Sequence, residues 1–214
     1  MEPIGILDLP LQQAVRPVTF DEVIESLNEE PVMTNTPEEA VVPTPVPVQS
    51  NIPMPEGTGD FNYQDIGNAQ IYQKNGRWYS DNAAVNAIMN IESSGNARAH
   101  NASGASGLFQ FIPSTWKVYG QGDVYDPYAN LAAFKRYTAA NIKQMIKAGI
   151  PITATNIYLA HQQGIGGLKA ILKSIKTGAP LPANILRNVK NNALGGYKGL
   201  PQFLNDWDAR IKRG

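Results

Sequence analysis

Ten of the sixteen prolines fall within residues 1–58. Each one lacks a backbone donor and locks φ, so neither a helix interior nor a central strand can pass through such a stretch. Phe20 is the sole aromatic residue there, and too little apolar surface is available to offset the entropy of folding. Any core must therefore come from the remaining residues, which suffice for one domain of ordinary size. Charge divides at the same place. Residues 1–60 carry eleven acidic side chains against Arg16 alone, or −10, and the remainder carries seven acidic and seventeen basic, or +10. Such a split implies two tasks: an acidic, extended tail over 1–58 and a basic folded part after it.

Within the tail, Thr19 and Glu22 form a capping-box pattern, Val18 and Val23 suit a hydrophobic staple, and Phe20, Val23, Ile24 and Leu27 share one face. Residues 19–29 are either a short docking helix that orders on a partner or a chance pattern, since about a dozen residues make a marginal helix in water. The opening residues lack the basic start and apolar run of a secretory signal, and no later stretch approaches the roughly 20 apolar residues of a membrane span. A soluble, cytoplasmically made protein is expected. With no cysteine and only His100 and His161, neither a metal centre nor another cofactor is expected.

Residues 59–80 read as a connecting segment with a short hairpin, because Asn75-Gly76 separates two aromatic-containing runs. From 81 to 214 the pattern is helical. Val85, Ile88, Met89 and Glu92 share a face of a helix with Ser80 or Asp81 near its start and Gly95 at its end. Asp126-Pro127 opens a second helix, carrying Leu131, Phe134, Thr138, Ile142 and Met145 and ending at Gly149. A third runs from about Thr153 to Gln163, and a fourth, with Leu168, Ile171, Leu172 and Ile175, closes at Gly178. The class is mainly α, with a small β element.

Glu92 is the only glutamate after Glu56. It extends an apolar stripe into the last turn of its helix, where burial and the negative end of the helix dipole both disfavour the charged form. A glutamate held protonated near neutral pH can serve as a general acid. A capping or salt-bridged glutamate is the plainer reading of the periodicity. The Gly104–Gly107 run lacks the lysine and hydroxyl residue of a phosphate-binding loop. The lysines are scattered without a nucleic-acid-binding motif, so the basic charge points to an anionic surface such as a cell wall, with no nucleic-acid partner.

Three ordered blocks add a resemblance. Ile91-Glu92-Ser93-Ser94-Gly95, then Gly104-Ala105-Ser106-Gly107-Leu108-Phe109-Gln110-Phe111, then Pro113-Ser114-Thr115-Trp116, resemble the soluble lytic transglycosylase family, related to goose-type lysozymes. The resemblance covers roughly Ala83 to Gly164 and implies a lysozyme-like α+β fold and cleavage of peptidoglycan glycan strands, with Glu92 as acid and then base. It implies that Ser93 orients Glu92 or an N-acetyl group and that Gln110 holds sugar. Two departures are visible. Phe109 replaces a methionine of the expected cleft wall, and Ala160-His161-Gln162-Gln163-Gly164 stands where Ala-Tyr-Asn-x-Gly is usual. His161 would then take over the support that the family tyrosine gives the glutamate, with Gln162 beside it on the substrate. Among the aromatics Trp116, Tyr119, Tyr125, Tyr128 and Tyr158, one or two are expected to wall the cleft, Tyr158 foremost.

A wall-cutting enzyme without an export signal suggests delivery on a phage virion, with the tail binding a virion protein. Two rival readings stand beside it. One is a hydrolytic lysozyme, for which Asp123 or Asp126 would supply a second acid, although Asp126 reads better as a helix cap. The other is a catalytically inactive virion structural or wall-binding protein.

Overall fold

The computed structural model describes residues 62–213. The acidic tail and its suggested helix at 19–29 lie outside the described residues. These comprise, in chain order, α1 (Asp65–Asn68), β1 (Ile71–Lys74), β2 (Arg77–Ser80), α2 (Ala83–Ser93), α3 (Pro113–Tyr119), α4 (Pro127–Lys147), α5 (Ala154–Thr177), α6 (Ala183–Asn191) and α7 (Leu200–Lys212). The mainly helical class with a small antiparallel sheet is the one expected. Among the described residues, no helix is long and apolar enough to cross a membrane.

The hairpin forms where Asn75-Gly76 placed it. Both turn residues adopt positive φ, 51° and 76°, the geometry that matches the twist of two short strands. Ile71 pairs with Ser80 and Lys74 with Arg77. Its base is tied by Ser80 Oγ donating to the Gln70 carbonyl and by Asp81 accepting from the Gln70 N–H. Asn82 caps α2, accepting from Val85 N at 3.1 Å, while its own N–H donates to Ser80 Oγ. At the other end Ser94 takes the left-handed conformation and Gly95 follows at φ 72°. A Cβ on Gly95 would lie 2.4 Å from the Trp78 carbonyl oxygen, while Trp78 N donates to the Gly95 carbonyl. The end of α2 is thus pressed onto β2.

The long helices follow the expected caps. Asp126 accepts from the N–H groups of Tyr128 and Ala129 with Pro127 in the first turn, and α4 ends just before Gly149. Thr153 caps α5 and Gly178 closes it. The two helical segments expected between them abut directly, broken only by Gly164 at φ 70°, ψ 157°. Helices α4 and α5 pack along each other, and α7 closes over α5 and α2. The core between them holds Val85, Ile88, Met89, Phe134, Ile142, Leu159, Phe203 and Trp207.

Asn130 joins α4 to the glycine-rich loop. Fully buried, it accepts from Phe109 N at 2.9 Å and donates to the Val124 carbonyl at 2.8 Å. Gly107 passes so close that a Cβ would sit 2.2 Å from its amide nitrogen. Replacing Asn130 by alanine leaves two buried backbone groups without partners, and we expect a loss of about 2–4 kcal/mol in chemical denaturation. A change below about 1 kcal/mol would mean that this clamp does not hold the loop.

Candidate functional site

Glu92 opens onto a cleft. Glu92 from α2 lines it together with Phe111, Ile112 and Thr115, Tyr137 of α4, His161 to Gly164 of α5, and Asn188 of α6. Its volume, about 390 Å³, lies in the range of small-ligand clefts. Gln110 and Asn101 contribute from the loop between α2 and α3. Glu92 is the sole carboxylate among these lining residues. Asp126 is spent on its cap, and Asp123 accepts from Tyr125 N in its own loop.

The Glu92 side chain is only 17 % exposed. Burial pushes its pKa up from 4.5 to about 7, and a hydrogen-bonding contact from Tyr158 offsets part of that rise. His161 Nε2 is 4.0 Å from Glu92 Oε1, which on distance alone suggests an ion pair. It is not one: burial lowers the His161 pKa to about 4, so wherever Glu92 is charged the imidazole is neutral. The cause is visible in its surroundings, since the rings of Phe111, Phe134 and Tyr137 lie 5.6–5.7 Å from it. Its Nε2 donates to the Phe109 carbonyl at 2.8 Å, fixing the tautomer and leaving Nδ1 an acceptor. The histidine therefore bonds the glycine-rich loop and not the carboxyl, differing from the part expected of it.

Several other expectations meet a different geometry. Phe109 is fully buried and stacked on Phe134 at 4.1 Å, so it is core and no cleft wall. A phenyl ring directed inward gains more from that stack than from a wet groove. Ser93 Oγ donates to the Met89 carbonyl one turn back, the usual resort of a serine in a helix, and is not turned to Glu92. Tyr158 is only 2 % exposed and packs on Trp207. It reaches the site through its hydroxyl and not as a ring platform.

Gln110 does line the cleft, but its amide nitrogen donates to the carbonyls of Ala99 and Gly107 at 3.1 and 3.0 Å. Both N–H bonds are committed, so only Oε1 is left for a ligand. Gln162 lines the cleft as expected and donates to the Tyr158 hydroxyl. Trp116 packs edge-on against Phe111, Tyr119 against Tyr137, and Tyr128 against Trp78, while Tyr125 leans on His100 and Ser106.

Phe111 and Tyr137 are the phenyl and phenol rings that line the cleft, and Tyr137 was missed because it lies beside the apolar stripe of α4 and has no motif around it. Asn188 was missed with its whole helix. Asn101 could have been suspected from its turn-forming neighbours Ser103 and Gly104, whose loop its carboxamide oxygen braces.

These two shifted groups act on stability with opposite sign. Glu92 binds its proton more tightly folded than unfolded, so its contribution is full below pH 4.5 and is lost as pH rises towards 7. His161 resists protonation when folded, so its contribution is lost as pH falls from 6.5 towards 4. Each spans about 3 kcal/mol at most. Glu92→Gln should therefore be more stable than wild type at pH 8, and should expose a rise in stability from pH 4 to 6.5 that the wild type masks. Thermal unfolding across pH tests this, and a variant less stable than wild type at pH 8 would remove burial as the source of the Glu92 shift.

The stretch that carries this geometry, from the hairpin base through Glu92 and the glycine-rich loop to the far half of α5, is also the stretch that matches a known family model. Residues 70–174 match the transglycosylase SLT domain, the domain of the soluble lytic transglycosylases, enzymes that cleave peptidoglycan.

Proposed function

We propose that the enzyme cuts the β-1,4 bond between N-acetylmuramic acid and N-acetylglucosamine with Glu92 as its single acid and base, leaving a 1,6-anhydro end. The observation that carries this reading is the lone carboxyl in the cleft, which burial raises to a pKa of about 7. Glu92 gives its proton to the glycosidic oxygen as the bond to C1 breaks through an oxocarbenium-like state. The resulting carboxylate takes the proton of the muramoyl C6 hydroxyl, whose oxygen closes onto C1. Glu92 ends protonated, as it began, and no water is consumed. A paired-carboxylate glycosidase needs a second acid as nucleophile or base, and no other lining residue offers one. His161 is no substitute base, because its Nε2–H is held by the Phe109 carbonyl and its Nδ1 is buried. Gln110 Oε1 is the acceptor available to sugar hydroxyl or amide groups.

The acidic, proline-rich first 58 residues support a further part of the proposal: attachment to a virion protein, so that the enzyme opens the wall locally during phage entry. Their composition suits a strand that wraps a partner surface.

Mass spectrometry of peptidoglycan digested in heavy-oxygen water tests the chemistry. The expected products are unlabelled 1,6-anhydromuramic ends, with turnover falling as pH rises through 7 and dropping by about 10²–10⁴ in Glu92→Gln. Labelled reducing ends would move the enzyme to the hydrolytic class, and no products would favour a wall-binding protein.

Placement is tested separately by deleting residues 1–58. Turnover of soluble glycan fragments should be unchanged and incorporation into particles lost; normal incorporation would sink the attachment reading.

A further inference from the structure

The polar side chains behind Glu92 form a directed chain. Gln163 Nε2 donates to Gln162 Oε1 at 2.9 Å, and Gln162 Nε2 donates to the Tyr158 hydroxyl at 2.8 Å. Tyr158 in turn makes its hydrogen-bonding contact with Glu92. Helical geometry explains the first two links. Tyr158 and Gln162 are one turn apart on α5, where side chains meet. Adjacent residues of a regular helix do not face each other, but Gly164 breaks the helix immediately after Gln163, and Gln163 folds back onto its neighbour.

The order of donors matters because a phenol has one proton. With a Gln162 N–H aimed at its oxygen, the Tyr158 hydroxyl must direct its own proton elsewhere, and the acceptor in front of it is the Glu92 carboxyl. Were the Gln162 amide reversed, its oxygen would take the Tyr158 proton and turn phenolic lone pairs towards a carboxylate. Gln163 opposes that reversal by donating to Gln162 Oε1.

We propose that Gln162 is a positioning residue for the acid–base reaction: it orients the Tyr158 hydroxyl towards one oxygen of Glu92 and so leaves the other oxygen to exchange the proton with substrate. The proposal rests on the reading of Glu92 as acid and base. Its effect on pH follows directly. A hydrogen bond to the charged form holds the Glu92 pKa below where burial alone would put it, so removing Gln162 should raise that pKa and slow the step in which the carboxyl must give its proton to the glycosidic oxygen.

The other ionisable groups around this carboxyl do not produce the same change. His161, on the same helix, is neutral above about pH 4. Tyr137, across the cleft on α4, is raised further by burial. Arg210 of α7 acts on the Tyr158 hydroxyl through its charge. Asp208 on that helix is turned to Thr155 and Lys212.

The test is the pH profile of kcat/KM of the full-length enzyme on soluble glycan fragments, for wild type, Gln162→Met, Tyr158→Phe and the double variant. Methionine keeps the length of the side chain, and phenylalanine keeps the ring packed on Trp207. Each single variant should lower kcat and move the alkaline limb up by about one pH unit. The double variant should move it no further than Tyr158→Phe alone, since Gln162 acts through that hydroxyl. An unmoved limb in Gln162→Met, whether only KM rises or kcat falls, would overturn the proposal and leave Gln162 as a cleft wall. A shift that adds fully to that of Tyr158→Phe would overturn it as well. Failure of the underlying reading looks different: Glu92→Gln would retain turnover, or the wild type would show no limb near pH 7.

Discussion

Withdrawing the Glu92 carboxyl from water is the constraint on which the rest of the site depends. A carboxylate there faces a loss of hydration that raises its pKa to about 7, and in the proposed mechanism that cost is what suits it to donate a proton at neutral pH. The surrounding structure keeps the cost in place. Gly95 allows the end of α2 to press against β2 without a Cβ in the way. Helix α7 closes over α2 and α5 from behind. A looser seat would admit water and return the group towards an ordinary glutamate.

Helix α5 supplies four residues in a row to the lining of that cleft, and a single break in it arranges the parts. Before Gly164 the helix carries Tyr158, His161 and Gln162 on adjoining turns. After it, Leu168, Ile171 and Leu172 return to the core. The tyrosine and histidine have divided two tasks. Tyr158 brings a hydroxyl to Glu92, and His161, neutral in an aromatic box, ties α5 to the loop at Phe109. A buried imidazole suits the second task because its donor nitrogen meets a carbonyl while the ring fills apolar space.

Much of the fold could be read along the chain because the deciding interactions are local. Asn75-Gly76 makes its turn with residues next to it, Asp126 caps the N–H groups two and three positions on, and Gly149 and Gly178 follow helix ends that require positive φ. Helices α3, α6 and α7 were not anticipated. Pro113, Pro182 and Pro201 stand at or beside their starts and read equally as loop punctuation. The stripe of Phe203, Leu204, Trp207 and Ile211 acquires its meaning from the α2 and α5 surfaces it covers.

The site divides along the same line. Sequence alone determined that Glu92 is the one glutamate of the basic part, that it sits at the end of an apolar helical face, and that the blocks around it resemble a wall-cutting family. It also determined that the first 58 residues are acidic and rich in proline. Only tertiary structure decided which side chains meet. Phe109 and Gln110 are neighbours in one block, yet one is stacked in the core and the other lines the cleft, because Gln110 takes φ 47° and reverses the chain between them. Tyr158 proved a buried hydroxyl partner and not a sugar platform, and His161 was drawn to a backbone carbonyl fifty-two residues away. Such pairings depend on the direction and burial of groups distant in sequence. Local propensity cannot encode them, because their energies exist only after the helices have packed.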